Sequence, residues 1–249
     1  PILSFAPESV CPKSRCAMPH EGDSNELLAL INRRRSVAPK RLQPPGPTPA
    51  ELTAMIDTAL SAPDHGGLRP WRIIGVADSG RQRLAAAFVE AKRRRTPDAQ
   101  QTILARERDK ALHAPTLLVV CARPRGDRPD IPAYEQLIAV GAAVQNLLLA
   151  AHALGYGASL LSGEKARDPL VRACLGLALD EILIGFLSIG SIATPSPPRL
   201  PQHADAFFSV WGDTAAPVIT TDGKDSVPGS STGRGDDATD PSLPPARSS

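Results

Sequence analysis

Two rhythms of apolar and polar positions alternate along the chain. Asp23 and Glu26 have capping-box spacing, and Leu27, Leu28 and Ile31 after them fall on one helical face, so a helix is expected to run to Arg33–Arg35. Thr48-Pro49-Ala50-Glu51 combines an N-cap, a proline at the first helical position and a glutamate that reaches back to the cap. Leu52, Met55, Ile56, Ala59 and Leu60 then follow a helical stripe, which Pro63 closes. Two more helices are expected at Arg81 to Arg95 and from Thr96-Pro97 to about His113. A long apolar one around Leu137–Leu154 should end on Gly155 as a left-handed cap, and Asp168-Pro169 should open a short helix closed by Gly176. The period changes to that of strands at Trp71–Ala77, Thr116–Ala122, Ala158–Leu161 and Glu181–Ile189. Thr116–Ala122 is apolar at nearly every position, as in a strand covered on both faces. A last strand-like stretch, Phe207–Trp211, has no neighbour in sequence to pair with. Helices and strands alternate without a regular βαβ rhythm, which predicts an α+β domain on a mixed or antiparallel sheet.

Three regions follow from these shifts. Residues 1–22 read as a flexible arm, 23–212 as the folded domain, and 213–249, rich in Gly, Ser, Thr, Pro and Asp, as a disordered tail. The Leu137–Leu154 stretch is apolar enough for a membrane span, but Gln145, Asn146 and His152 interrupt it and strands surround it, so it reads as a core helix. With a net charge of +2 and 4% aromatic residues, a nucleic-acid surface is not expected. Cys11, Cys16, Cys121 and Cys174 lack metal-ligand spacing. No secretory signal is visible in residues 1–20, so a reduced, cytoplasmic protein without a metal is expected.

The candidate chemistry is concentrated in two stretches. Arg33-Arg34-Arg35-Ser36 offers forked guanidinium donors and a hydroxyl, suited to a phosphate monoester; the plainer explanation is a solvated helix end favoured by the dipole. Asp64-His65-Gly66-Gly67 is a tight turn that could bring backbone against a flat ring, with His65 as a hydrogen-bonding group. His-Gly-Gly suggests an oxyanion loop, but the chain has no Gly-x-Ser-x-Gly elbow. Gly155-Tyr156-Gly157 is a helix-to-strand turn and not a dinucleotide fingerprint, because a helix precedes it. No acid–base pair is visible in the sequence.

Four segments taken together resemble the nitroreductase family, in its compact bacterial branch. They are Ile31-Asn-Arg-Arg-Arg-Ser36, Ser61-Ala-Pro-Asp-His-Gly-Gly-Leu-Arg-Pro-Trp-Arg72, Tyr134 through Asn146, and Ala153-Leu-Gly-Tyr-Gly-Ala158, and the likeness spans about Glu26 to Trp211. The resemblance implies a nitroreductase-like sheet flanked by helices and a homodimer with FMN at the subunit interface. It also implies a C-terminal segment exchanged between subunits, which would give Phe207–Trp211 a sheet to join. By the same resemblance, Arg34, Arg35 and Ser36 hold the FMN phosphate and ribityl chain, and Ser61 and His65 lie along the flavin. Leu160, Leu161, Ser162 and Gly163 occupy the segment that borders its other side, and Arg199 is a late phosphate contact. The usual tryptophan and cation of that border are here Leu160 and Leu161, and the Gly-Thr-Pro after the last core strand is Gly190-Ser191-Ile192. The implied activity is ping-pong hydride transfer from NADH or NADPH, through flavin, to a small-molecule electron acceptor such as a nitroaromatic, quinone or activated alkene. No protein side chain need be catalytic. The alternative is a degenerate member that binds or stores flavin without turnover.

Overall fold

In the computed structural model the described residues are 21–198, 204–209 and 211. The chain divides into two units, residues 1–198 and 199–249. The expectations for the N-terminal arm up to residue 20, for Arg199 and for the whole tail from residue 213 lie outside the described residues.

The first unit has the order α1 (Glu21–Arg33), β1 (Leu42–Gln43), α2 (Pro49–Leu60), β2 (Trp71–Gly75), α3 (Asp78–Arg95), α4 (Gln101–Leu112), β3 (Thr116–Ala122), α5 (Ala133–Ala153), β4 (Gly157–Leu161), α6 (Glu164–Arg167), α7 (Pro169–Cys174) and β5 (Ile182–Ile192). All strand pairs of the five-stranded sheet are antiparallel: β5 pairs with β1, β3 and β4, and β3 pairs with β2. This is the α+β sheet flanked by helices that the sequence predicts.

β3 shows why its sequence is uniformly apolar. Leu118, Val120 and Ala122 face one core, with Met55 and Ala59 of α2 and Val140, Ala143, Leu147 and Ala151 of α5. Leu117, Val119 and Cys121 face the other, with Leu84, Phe88 and Ala91 of α3, Ala166 of α6 and Val171 of α7. Successive side chains leave a strand on opposite faces, so a strand with a helical layer on each side needs apolar residues at every position. α5 is long and apolar enough to cross a membrane. One face of it is core, while Tyr134, Leu137 and Ile138 are exposed.

Local chemistry sets most boundaries. Thr48 accepts from the Glu51 backbone N–H while the Glu51 side chain accepts from the Thr48 N–H, which completes the capping box of α2. At the end of α5 the Tyr156 N–H donates to the Ala151 carbonyl at 2.9 Å across Gly155, which has φ +84°, a left-handed cap.

Some boundaries differ from expectation. α1 starts at Glu21, so Asp23 and Glu26 lie inside it and do not cap it. Thr96-Pro97 does not open α4: the Thr96 N–H donates to the Lys92 carbonyl and finishes α3, and α4 begins at Gln101. The two-residue β1 carries no local signal, because its partner among the described residues, Ser191–Ile192, is remote in sequence. Phe207–Trp211 is not a strand in the described residues. Ala204–Ala206 form a 3₁₀ turn, and Phe207, Phe208 and Trp211 are exposed.

Candidate functional site

Arg34, Arg35 and Ser36 follow the C-terminus of α1. Ser36 forms a parallel bridge with Ala158, and the Val37 N–H donates to the Ala158 carbonyl at 3.0 Å. The Ser36 carbonyl accepts from the Ser196 hydroxyl at 2.8 Å. The segment is thus stitched to the start of β4. Arg35 is half-buried, and its Nη1 donates to the carbonyls of Asn32 at 2.7 Å and Arg34 at 3.1 Å. Its Nε and Nη2 meet no protein acceptor among the described residues. Positive charge also gathers here: burial, then the Arg33 and Arg34 guanidiniums, hold the His152 imidazole below its ordinary 6.5.

Ser162 and Gly163 stand at the other end of β4, both exposed. Gly163 has φ +92°, and nothing lies within 4 Å of where a Cβ would sit, so its backbone borders open space. Leu160 and Leu161 before it are half-buried, and Leu160 packs against the core between the sheet and α5.

Ser61 and His65 belong to a third group, at the end of α2. The Ser61 hydroxyl donates to the Thr58 carbonyl at 2.8 Å. His65–Gly67 form a 3₁₀ turn; its Gly66 and Gly67, and the non-glycine Arg69 just after it, have φ of +74°, +64° and +50°. The turn is held by the Arg69 N–H on Asp64 Oδ2 at 2.6 Å and the Gly67 N–H on the Asp64 carbonyl at 3.1 Å. It is seated against the loop before α5, where a Cβ on Gly66 would meet Ile131 Cδ1 at 2.4 Å. That loop is shaped by Gln136, whose side chain accepts from the Arg125 N–H and donates to the Arg125 and Ile131 carbonyls.

One residue the sequence reading missed completes this corner. His65 Nδ1 lies 2.8 Å from Glu135 Oε2, and the Tyr134 hydroxyl donates to Glu135 Oε1 at 3.2 Å. The hydrogen bond from His65, chiefly, holds the Glu135 carboxyl below the usual range. The partners are seventy residues apart, and no local pattern signals such a pair.

Among the described residues, no group of three His, Cys, Asp or Glu could hold a metal. Cys121 is buried, with its thiol pushed up to about 11 first by burial and then by Glu181, so it is inert.

The Nitroreductase family model matches residues 31–191. YdjA of Escherichia coli (strain K12), whose name assigns it provisionally to the NAD(P)H nitroreductases, is 30% identical over 165 residues, 66% of this chain and 87% of its own. A nitroreductase-like family protein from Bacillus cereus superposes with a TM-score of 0.62 at 24% identity, covering 74% of this chain and 95% of its own. A mutant of the FMN- and NADPH-dependent nitroreductase NfnB from a Sphigopyxis strain gives 0.59 at 21% identity, over 76% of this chain and 99% of its own.

Proposed function

The chain belongs to the nitroreductase family, and on that premise we propose that it is an FMN-dependent NAD(P)H oxidoreductase. It acts as a homodimer on nitroaromatic, quinone or activated-alkene acceptors. When bound, FMN takes a hydride from NADH or NADPH and passes reducing equivalents on to the acceptor in a ping-pong cycle.

The observation that carries this reading is the donor set at the two ends of β4. Arg35 keeps Nε and Nη2 without a protein acceptor among the described residues, beside the exposed Ser36, the fork-and-hydroxyl chemistry a phosphate monoester needs. Ser162 and Gly163 add a hydroxyl and an open backbone at the far end of the same strand. Arg34, Arg35 and Ser36 are assigned to the phosphate and ribityl chain, and Ser162 and Gly163 to the ring border. Ser61 and His65 are assigned to the ring from another side. Leu160 and Leu161 shape that border only through backbone and apolar contact, and Arg199 keeps its assignment as a late phosphate contact.

The homodimer is supported by distance. Arg34 acts on His152 near the end of α5, whereas His65 sits on Glu135 near its start. Those two α5 residues are seventeen positions apart, roughly 25 Å along a helix. One mononucleotide does not span that gap, but a second copy brings its own Ser61–His65 turn to the first copy's arginines. Leu27, Leu28 and Ile31 of α1 and Leu137 and Ile138 of α5 supply exposed apolar surface for such contact. The exchange of Phe207–Trp211 between subunits belongs to the same proposal. The free thiols of Cys121 and Cys174 favour the cytoplasm.

The visible absorbance of the purified protein tests the reading. Oxidised-flavin bands, with FMN released on denaturation and lost in Arg35→Ala, are the expected result. A colourless protein that takes up no added FMN would refute it. A flavin-loaded protein that oxidises no NADH or NADPH in the presence of a quinone or nitroaromatic would leave the flavin-storing alternative, to which the Leu160–Leu161 departure points.

A further inference from the structure

We propose that Glu135 is a positioning residue that orients His65 as the proton donor to the electron acceptor; this rests on the oxidoreductase reading above. The 2.8 Å contact occupies His65 Nδ1 and leaves Nε2 as the nitrogen open to a ligand. A carboxylate can only accept, so Nδ1 carries the proton in both charge states of the ring, and Nε2 gains its own proton when the ring is imidazolium. The carboxylate is itself fixed, by Tyr134 on its other oxygen and by its place in the first turn of α5, where the helix dipole favours negative charge.

Base or acid, orienting carboxylate and a third group holding the carboxylate form the arrangement by which proteins aim an imidazole. Stability does not account for it. The His65 side chain is 66% exposed and that of Glu135 31%, and pairs so exposed to water add little. Nor is the turn free to drift, since three left-handed residues, Asp64 and the Gly66–Ile131 contact all fix it. The charged groups around the pair are Asp64 and Arg69 on the turn and the Arg128–Asp130 ion pair on the loop before α5, with Tyr134 the other titratable neighbour.

The step balances for a quinone. The acceptor is reduced by a hydride from the bound cofactor, which is oxidised. A lone pair on the quinone oxygen forms the new O–H bond while the Nε2–H bond breaks, its electron pair staying on nitrogen. Water then returns a proton to the exposed imidazole.

Glu135→Gln and His65→Gln, in flavin-loaded protein, are compared with wild type on a quinone and on ferricyanide, which takes electrons without a proton. The quinone-to-ferricyanide ratio is expected to fall roughly tenfold or more in both variants. ¹⁵N NMR of the cofactor-free protein supplies a readout independent of turnover: His65 should carry its proton on Nδ1 in wild type and lose that preference in Glu135→Gln. An unchanged ratio with normal flavin content overturns the proposal and leaves the oxidoreductase reading intact. A His65 protonated mainly on Nε2 overturns it whether or not flavin binds. Wild type that holds no flavin, or reduces not even ferricyanide, overturns the oxidoreductase reading and this proposal with it.

Discussion

Gly66→Ala measures how firmly the turn that carries His65 is held. Gly66 and Gly67 have nearly the same backbone conformation, φ +74° and +64°. An alanine at either place costs about 1 kcal/mol for putting an L residue in the left-handed region. The two sites differ in space. A Cβ on Gly66 would stand 2.4 Å from Ile131 Cδ1 and 3.4 Å from Arg128 Nη2, whereas nothing lies within 4 Å of Gly67. The Ile131 methyl is the tip of a flexible group, but Ile131 is buried, and overpacking of this kind costs on the order of 1–3 kcal/mol. Gly67→Ala should therefore lose about 1 kcal/mol and Gly66→Ala about 2–4 kcal/mol. The excess belongs to one methyl, so Ile131→Val should relieve it. Alone, that change costs about 1 kcal/mol; in the Gly66→Ala background it should cost nothing or stabilise, a coupling of about 1 kcal/mol or more. Urea unfolding of wild type and the four variants, followed by far-UV circular dichroism, gives all these numbers. Equal losses at the two glycines, or strict additivity in the double variant, would refute the reasoning.

Two further outcomes follow from charges outside that turn. Arg81 is buried and donates to the carbonyls of Ala111, Ala114 and Pro115, closing the end of α4 against the start of β3. Arg81→Met keeps the apolar stem but strands those carbonyls, so a loss of roughly 2–4 kcal/mol is expected; thermal unfolding indistinguishable from wild type would contradict it. The native His152 value lies below 6.5, so the unfolded chain binds that proton first. Its contribution to stability is full above about pH 6.5 and is lost as pH falls below that. In His152→Gln the fall in stability below about pH 6.5 should be shallower, and an identical slope in urea titrations would exclude His152 as the cause.

The sequence by itself determined the elements and their faces. The Thr48–Glu51 box, Gly155 and Asp168 act on neighbours a few residues away, so their outcomes were legible. The uniform apolarity of Thr116–Ala122 was legible for a different reason, since alternation fails only when both faces of a strand are covered. Arg34, Arg35 and Ser36 stand out as candidates by residue type and order, because forked donors beside a hydroxyl suit a phosphate, and their assignment to FMN belongs to the proposal.

Tertiary structure decided what depends on remote partners. β1 exists because Ser191–Ile192 offers it an edge, and α3 ends on its own Lys92 carbonyl where Thr96-Pro97 looked like a beginning. It separated the Arg34–Ser36 and Ser61–His65 groups to opposite ends of α5. It also closed seventy residues of chain to bring Glu135 to His65. Helix and turn propensities act over three or four residues, but a hydrogen bond between an exposed and a half-buried side chain depends on where packed helices happen to end. That placement comes from burying Val140, Ala143 and Leu147 against the sheet, and no motif in the sequence encodes it.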